Sequence, residues 1–284
     1  MTGTGSPGRL FVVATPLGNL GDVSRRALDV LRAASLVACE DTRRTAHLLS
    51  SHGITTPTTS FFEHNERWKG DRILAALRQG RDVALVSDAG TPGVSDPGFR
   101  LVREARAADL PVIPIPGPSA AIAALSVSGL PTDRFLFVGF LAPRTAARRR
   151  QLADLATVPF TLVLYESPIR IKEALADLAA AWGDREAFLA REMTKLHEEY
   201  RRGRLLELRE ALLARPSVKG EIVLVVAGAT LPPTEATEPL PDLYRRLVSE
   251  GKTRREAVKE AARRLGLPAR EVYRRVQEAE DAEG

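Results

Sequence analysis

VALVSDAGTPGVSDPG, Val83 to Gly98, decides how this chain is read. Val83, Ala84, Leu85 and Val86 form a short apolar run suited to a strand covered on both faces. Gly90, Pro92, Gly93, Pro97 and Gly98 then fit neither helix nor strand interior, and they let backbone approach a bound molecule closely. Connections in α/β units usually need about 2–6 residues, so this one is longer than a plain strand-to-helix link requires. Asp88 and Asp96 set a carboxylate at each end of it. The stretch reads as a ligand loop after a buried strand.

Upstream, Arg9 to Ala14 reads as a first strand, followed by the turn 15 to 22 and an amphipathic helix over Ser24 to Ala34 with Ser24 as its cap. The turn holds neither GxGxxG nor GxxxxGK[ST], which argues against a nicotinamide enzyme and an NTPase. Leu36 to Cys39 gives a second strand, and Glu40, Asp41, Thr42, Arg43 and Arg44 stand at its carboxyl end, where open α/β sheets carry out their ligand chemistry. Asp41 serves equally well there as a helix cap. Thr59 to Phe62 forms a short strand before His64, a candidate base that also reads as a solvated loop side chain, and a helix follows over Arg67 to Leu77.

Downstream, a helix near Phe99 to Ala108 leads to a strand at Val112 to Ile115, which runs into the partner loop Pro116 to Ala121. Ser119 and the amides after it begin a helix through Leu125 and offer a hydroxyl and free N–H groups to a polar ligand. Strands are expected at Arg134 to Gly139, Phe160 to Tyr165, Glu186 to Arg191 and Glu221 to Ala227, and helices at Pro168 to Ala181 and Leu205 to Leu213. Residues 191 to 203 are unusually polar for the middle of an α/β domain. Pro232, Pro233, Pro239 and Pro241 mark a linker. Beyond it, three helical patterns resemble a helix-turn-helix, the last carrying Arg270, Tyr273, Arg274 and Arg275, although a helical hairpin with solvated arginines has the same look. The expected domains are 1–116 and 117–228, both α/β, then a linker at 229–241 and a helical module at 242–284.

At 284 residues and 44% hydrophobic, the chain can bury a sizeable core. Cys39 is the only cysteine, which excludes an intrachain disulfide and a cysteine-built metal cluster, and with four scattered histidines no metal is expected. The apolar run Leu10 to Ala14 is too short for a signal sequence or a membrane span, so a cytoplasmic protein with no membrane partner is expected. The net charge is +5, and six lysines stand against thirty-five arginines, which draws the eye to Lys195 as a compact point charge.

Together, VVATPLGNLGDVSRRAL, CEDTRRT, VSDAGTPGVSDPG, PIPGPSAAIAAL, LYESPIR, REMTKLHEE and KGEIVLVVAG resemble the tetrapyrrole (corrin/porphyrin) methylase superfamily over residues 9 to 228. They are more narrowly similar to its bacterial branch that methylates the ribose 2′-oxygen of a cytidine in small-subunit (16S) ribosomal RNA. The resemblance implies two α/β domains, a homodimer, and S-adenosylmethionine in the cleft between the domains. By position it assigns Thr15, Pro16, Leu17 and Gly18, then Asp88, Gly90, Val94 and Ser95, then Ser119 and Ala120, and finally Tyr165 and Glu166 to the cofactor. Small-molecule members usually write GDP where this chain has Gly90-Thr91-Pro92, and they lack CEDTRRT and REMTKLHEE. Both departures move the expectation from a tetrapyrrole to RNA, most readily within an assembled ribosomal subunit.

Methyl transfer to a ribose hydroxyl needs orientation and removal of a proton. Glu40, Asp41, His64, Lys195 and Glu198 are candidates for that base or for holding the nucleotide. Lys195 stands first, on the expectation that a nearby sulfonium lowers its pKa. Arg43 and Arg191 are expected on phosphates, with Arg270, Arg274 and Arg275 of the last helix also facing RNA. A small tetrapyrrole or a protein side chain as substrate, and a non-catalytic RNA-binding factor, remain alternatives.

Overall fold

Short branched and apolar runs build the first sheet of the computed structural model, which describes residues 6–230, 239–265 and 267–283. In chain order its elements are β1 (Leu10–Val13), α1 (Arg25–Ala33), β2 (Leu36–Cys39), α2 (Thr42–Ser51), β3 (Thr58–Ser60), α3 (Glu66–Arg78), β4 (Val83–Val86), α4 (Phe99–Ala107) and β5 (Val112–Ile115). The strands lie in the order β3-β2-β4-β1-β5 and every pairing is parallel. Strands β1, β2 and β4 are apolar on both faces because helices cover both. Ile73, Leu77, Leu101 and Ala105 of α3 and α4 pack on one side, and Ala27, Leu31 and Leu49 of α1 and α2 on the other. Adjacent β1 and β4 send the chain on to opposite sides of the sheet, to β2 and to β5. Their carboxyl ends therefore open the crevice in which such sheets bind ligands.

After β5 the chain passes to a second sheet. Here the elements are α5 (Ala120–Val127), β6 (Phe135–Phe140), α6 (Thr145–Leu155), β7 (Thr161–Glu166), α7 (Ile171–Trp182), β8 (Glu186–Arg191), β9 (Glu199–Arg204), α8 (Leu205–Leu213) and β10 (Ile222–Val226). The order is β6-β7-β10-β8-β9, with β6 parallel to β7 and the other pairs antiparallel. Ala121, Ala124 and Leu125 of α5 cover one face against Val163, Phe188 and Val225, while α6, α7 and α8 cover the other. Two of these elements have no counterpart in the sequence reading. The polar run after Arg191 contains an edge strand, β9, whose side chains are mostly exposed, so it shows no alternation of apolar and polar residues. Helix α6 reads as polar because Arg148 occupies a core position, fully buried against Asp177 at 2.7 Å.

The chain separates into two units, Met1–Ala229 and Thr230–Gly284. The second consists of α9 (Leu240–Ser249), α10 (Arg254–Leu265) and α11 (Ala269–Glu283), closed around its own core of Leu243, Leu247, Ala257, Ala261, Val272 and Val276. Most of the expected linker, residues 231–238, lies outside the described residues. Among the described residues no helix is long and apolar enough to cross a membrane.

Candidate functional site

Three loops of the first sheet are tied into one wall. Thr15 and Gly90 exchange backbone hydrogen bonds of 2.9 and 3.0 Å, and the Thr15 hydroxyl donates to the Ser87 carbonyl at 3.0 Å. The Thr91 hydroxyl donates to the Pro118 carbonyl at 3.2 Å, which joins the loop after β4 to the loop after β5. Gly117 packs so closely on the end of β1 that a Cβ there would sit 3.0 Å from the Ala14 Cβ. The loop after β4 turns through left-handed backbone at Gly90, Gly93, Ser95 and Gly98, with φ of 82°, 79°, 61° and 126°. Three glycines take this conformation without strain, whereas Ser95 is a non-glycine held there by its surroundings.

Between this wall and the second sheet lies a cavity of about 330 Å³. It brings together Leu17, Asp88, Gly90, Val94, Ser95, Ser119, Ala120, Tyr165 and Glu166, all residues that the resemblance assigns to the cofactor. Phe140, Met193, Ile222 and Val223 add apolar walls that the sequence reading did not single out. The Ser119 hydroxyl makes no capping bond to α5 and stays available to the cavity. Tyr165 packs edge-on against Phe137 and Phe140 at 5.0 and 5.6 Å, and burial pushes its phenol above the ordinary range.

Glu166 is 3% exposed. Its Oε1 lies 2.7 Å from Arg170 and accepts from the Ser167 amide at 2.7 Å, but its buried Oε2 has no partner. A buried carboxylate oxygen left unmatched at a cavity wall is a place for a ligand's N–H or O–H. Asp96, at the far end of the same loop, also lines the cavity. Burial, followed by the charge of Glu40, raises its carboxyl to about 6.

A second pocket of about 700 Å³ shares Leu17, Arg44, Asp88, Ala89 and Glu221 with the first. It holds the remaining first-loop residues, Thr15, Pro16 and Gly18, together with Asp41, Arg43, His47 and Lys195. The Lys195 stem lies across Gly18, where a Cβ would overlap its Cγ. Its ammonium lies 2.8 Å from Glu192 and 3.2 Å from Glu221. Burial acts to lower its pKa, but the two carboxylates outweigh burial and the pKa is raised. The chain's own carboxylates thus act on Lys195 against the lowering expected from a sulfonium.

The other expected residues separate clearly. Asp41 caps α2 by accepting from the Arg43 amide at 2.8 Å, and hydrogen bonding to the Arg43 side chain holds its carboxyl at about 2. Glu40 is raised by burial and by Asp88, but it lines neither pocket. His64 is exposed in the turn before α3, edge-on to Phe62 at 6.4 Å, away from both pockets. Glu198 accepts from the Thr194 amide at 2.9 Å and the Tyr200 hydroxyl at 3.0 Å. Arg191 lies 2.9 Å from Glu199 and donates to the carbonyls of Lys219 and His197, so it braces the second sheet and has little left for a phosphate. Arg270, Arg274 and Arg275 lie on α11 in the second unit, where Arg274 and Arg275 pair with Glu271 at 2.7 and 2.8 Å. Among the described residues no group of three histidine, cysteine or acidic side chains is arranged to hold a metal ion.

Residues 9–209 match the family model described as Tetrapyrrole (Corrin/Porphyrin) Methylases. The chain belongs to this family. A protein of Mesorhizobium japonicum named "Ribosomal RNA small subunit methyltransferase I" is 47% identical over 278 residues, 97% of this chain and 93% of the relative. One of the same name from Synechocystis is 46% identical over 94% of this chain and 96% of its own. Another of that name, from Pseudomonas aeruginosa, is 50% identical over 81% and 82%. Among solved structures, cobalt precorrin-4 methyltransferase, a cobalamin biosynthetic enzyme, matches with a TM-score of 0.58 at 17% identity, covering 76% of this chain and 94% of its own. Uroporphyrin-III C-methyltransferase of Thermus thermophilus matches at 0.55 and 22% identity, over 77% and 94%. These two likenesses speak for the fold alone.

The tetrapyrrole methylase cofactor is S-adenosylmethionine, a sulfonium that supplies an already activated methyl group when bound. The cavity fits it. Leu17, Val94, Ala120, Met193 and Ile222 offer apolar surface for a purine, the unmatched Glu166 oxygen offers an acceptor, and several carboxylates give the site the sign that a cation needs.

Proposed function

We propose that this methylase transfers a methyl group to the ribose 2′-oxygen of a cytidine in 16S ribosomal RNA, within the small subunit. The observation that carries the reading is the likeness to proteins named small-subunit ribosomal RNA methyltransferases, which extends over 97% of the chain and so includes the C-terminal helical unit. The geometry supports it at the second pocket, where Arg43, Arg44, His47 and Lys195 gather beside the cofactor cavity as a polyanionic backbone requires. In this reading Pro16, Leu17 and Gly18 form the floor on which the target nucleotide meets the methyl donor. Lys195, kept protonated by Glu192 and Glu221, holds a phosphate or an oxygen of that nucleotide and removes no proton. The Arg43 guanidinium is 89% exposed and can turn from Asp41 to a phosphate. Arg270, Arg274 and Arg275 help dock the subunit.

The enzyme acts as a homodimer in the cytoplasm, where ribosomal subunits are found. Exposed Phe99, Ile122 and Val127 supply apolar surface for a second copy. Primer extension at low nucleotide concentration tests the reaction, because reverse transcriptase stalls at 2′-O-methyl riboses. Subunits from a strain lacking the gene should show one stop fewer than wild type, restored by the purified protein and S-adenosylmethionine. An identical pattern of stops with and without the gene overturns the reading.

A further inference from the structure

Ile169 and Leu196 are 89% and 92% exposed, the most exposed large apolar side chains among the described residues. One exposed apolar residue is ordinary on a protein surface, but these two share a place. Strands β7 and β8 flank β10 and both run antiparallel to it, and their last residues, Glu166 and Arg191, face the same Ile222. With neighbouring strands about 5 Å apart, the loops that follow leave one edge of the sheet about 10 Å from each other. Pro168, just before Ile169, lines the cofactor cavity, and Lys195, just before Leu196, lines the second pocket. Glu221, ahead of β10 and between the two loops, lines both. Ile169 and Leu196 themselves line neither and stand at the rim.

Both turns are fixed. The Ser167 carbonyl accepts from the amides of Arg170 and Ile171 at 3.1 and 3.0 Å, and the Arg170 side chain donates to the Leu141 carbonyl at 3.2 Å. In the second loop Glu192 and Thr194 take left-handed backbone, with φ of 52° and 65°, which a non-glycine residue adopts where its surroundings impose it. The Glu198 carboxylate accepts from the Thr194 amide at 2.9 Å, and the Glu192 carboxylate from the Glu221 amide at 2.9 Å. Apolar tips held beside a pocket lined by Arg43, Arg44, His47 and Lys195 suit an occupant that is anionic along its backbone and apolar on its faces. A single nucleic-acid strand with its bases has that make-up.

We propose, on the reading of a ribosomal RNA nucleotide as substrate, that Ile169 and Leu196 are positioning residues that press on the bases on either side of the target nucleotide and hold it out of its stack. Turned out in this way, the nucleotide brings its ribose hydroxyl into line with the methyl group. Enzymes that act on one nucleotide of a strand commonly take it out of the stack at a cost, and apolar wedges between bases are one means of meeting it. Leucine and isoleucine carry no hydrogen-bonding group in their side chains, so the pair reads no sequence, and the choice of nucleotide falls to the pocket behind it.

Single-turnover methylation of saturating small subunits tests the proposal on wild type, on the double variant Ile169→Ser with Leu196→Ser, and on Ile169→Phe with Leu196→Phe. Stacking on a side chain contributes about fivefold or more per base, so the serine pair should lose about tenfold or more in rate. Its S-adenosylmethionine affinity, thermal midpoint and slope of log subunit affinity against log salt should match wild type, and the phenylalanine pair, which also stacks on bases, should keep the wild-type rate. In reconstituted subunits carrying 2-aminopurine beside the methylated nucleotide, fluorescence should rise when wild type binds, as stacking is relieved, and stay flat with the serine pair. A serine pair that works at the wild-type rate overturns the proposal. So does a loss confined to subunit affinity, with the saturated rate unchanged, since the side chains are then plain docking contacts. A serine pair that changes its oligomeric state in sedimentation also overturns it, because the two residues then face a second copy. If wild type itself transfers no methyl group to subunits while binding S-adenosylmethionine, the reading of the substrate falls and takes the proposal with it.

Discussion

Glu166 illustrates how much a single buried oxygen can decide. Its Oε1 faces Arg170, while Oε2 is buried without a partner at the cavity wall. Glu166→Gln leaves one carbonyl oxygen for three donors, Arg170, the Ser167 amide and the ligand, so at least one hydrogen bond to a charged group is lost, worth about 1.5–3 kcal/mol. Cofactor affinity measured by calorimetry should fall by about tenfold or more, and an unchanged affinity would mean that Oε2 faces no ligand group. Ser119→Trp tests the same cavity by filling it. Because the hydroxyl caps no helix, the thermal midpoint of the cofactor-free protein should hardly move while S-adenosylmethionine binding is lost. Retained binding would place the cofactor elsewhere. The loop residues were legible in the sequence because glycine and proline announce themselves locally. The state of Lys195 was not, because it depends on Glu221, twenty-six positions further on and brought close only by the second sheet.

At the scale of elements, the polar edge of the second sheet is held by one carboxylate. Glu199 at the start of β9 takes Arg191 of β8 at 2.9 Å and also pairs with Arg201 and Arg215, so three guanidinium groups meet on it. Hydrogen bonding to Arg215, ahead of opposing burial, holds its carboxyl well below the ordinary range. A carboxyl lowered in the folded state binds fewer protons there than in the unfolded chain. Its contribution is therefore complete above the unfolded value and is lost as pH falls through and below it. Glu199→Gln should cost about 1–3 kcal/mol near neutral pH, read as a lower urea midpoint, and its deficit against wild type should shrink as the pH is lowered below about 4.5. A deficit independent of pH would assign the loss to packing. The same strand explains a gap in the sequence reading: Tyr200, Arg201, Arg202 and Arg204 are exposed, and an edge guarded by arginine carries no periodic signal. Strands β1, β2 and β4 of the first sheet, apolar throughout, could be read directly.

At the scale of the whole molecule, the C-terminal helices close around an apolar core of their own and form a unit separate from the α/β unit. A chain ending at Gly228 should keep its S-adenosylmethionine affinity and bind the small subunit more weakly. For every phosphate that the helices neutralise, their removal should flatten the slope of log affinity against log salt by about 0.7–0.9. Much of the positive charge there is already matched within the unit: Arg263 and Arg264 face Glu260, and Arg274 and Arg275 face Glu271. A salt titration should therefore show a modest change in slope, equivalent to about one or two phosphates, and smaller than the number of arginines suggests. An unchanged slope and affinity would make the unit a cap or a protein-docking surface. The stitched loops of the first sheet carry a consequence for how the enzyme opens. Loops rich in glycine are usually where a protease finds its first cut and where amide protons exchange soonest. Here Thr15 and Gly90 are joined as paired strands are, and the Thr91 side chain ties the loop on to the Pro118 carbonyl. The amides of Thr15 and Gly90 should then exchange with the slowest class in the chain, and the cofactor should enter past a wall that does not swing.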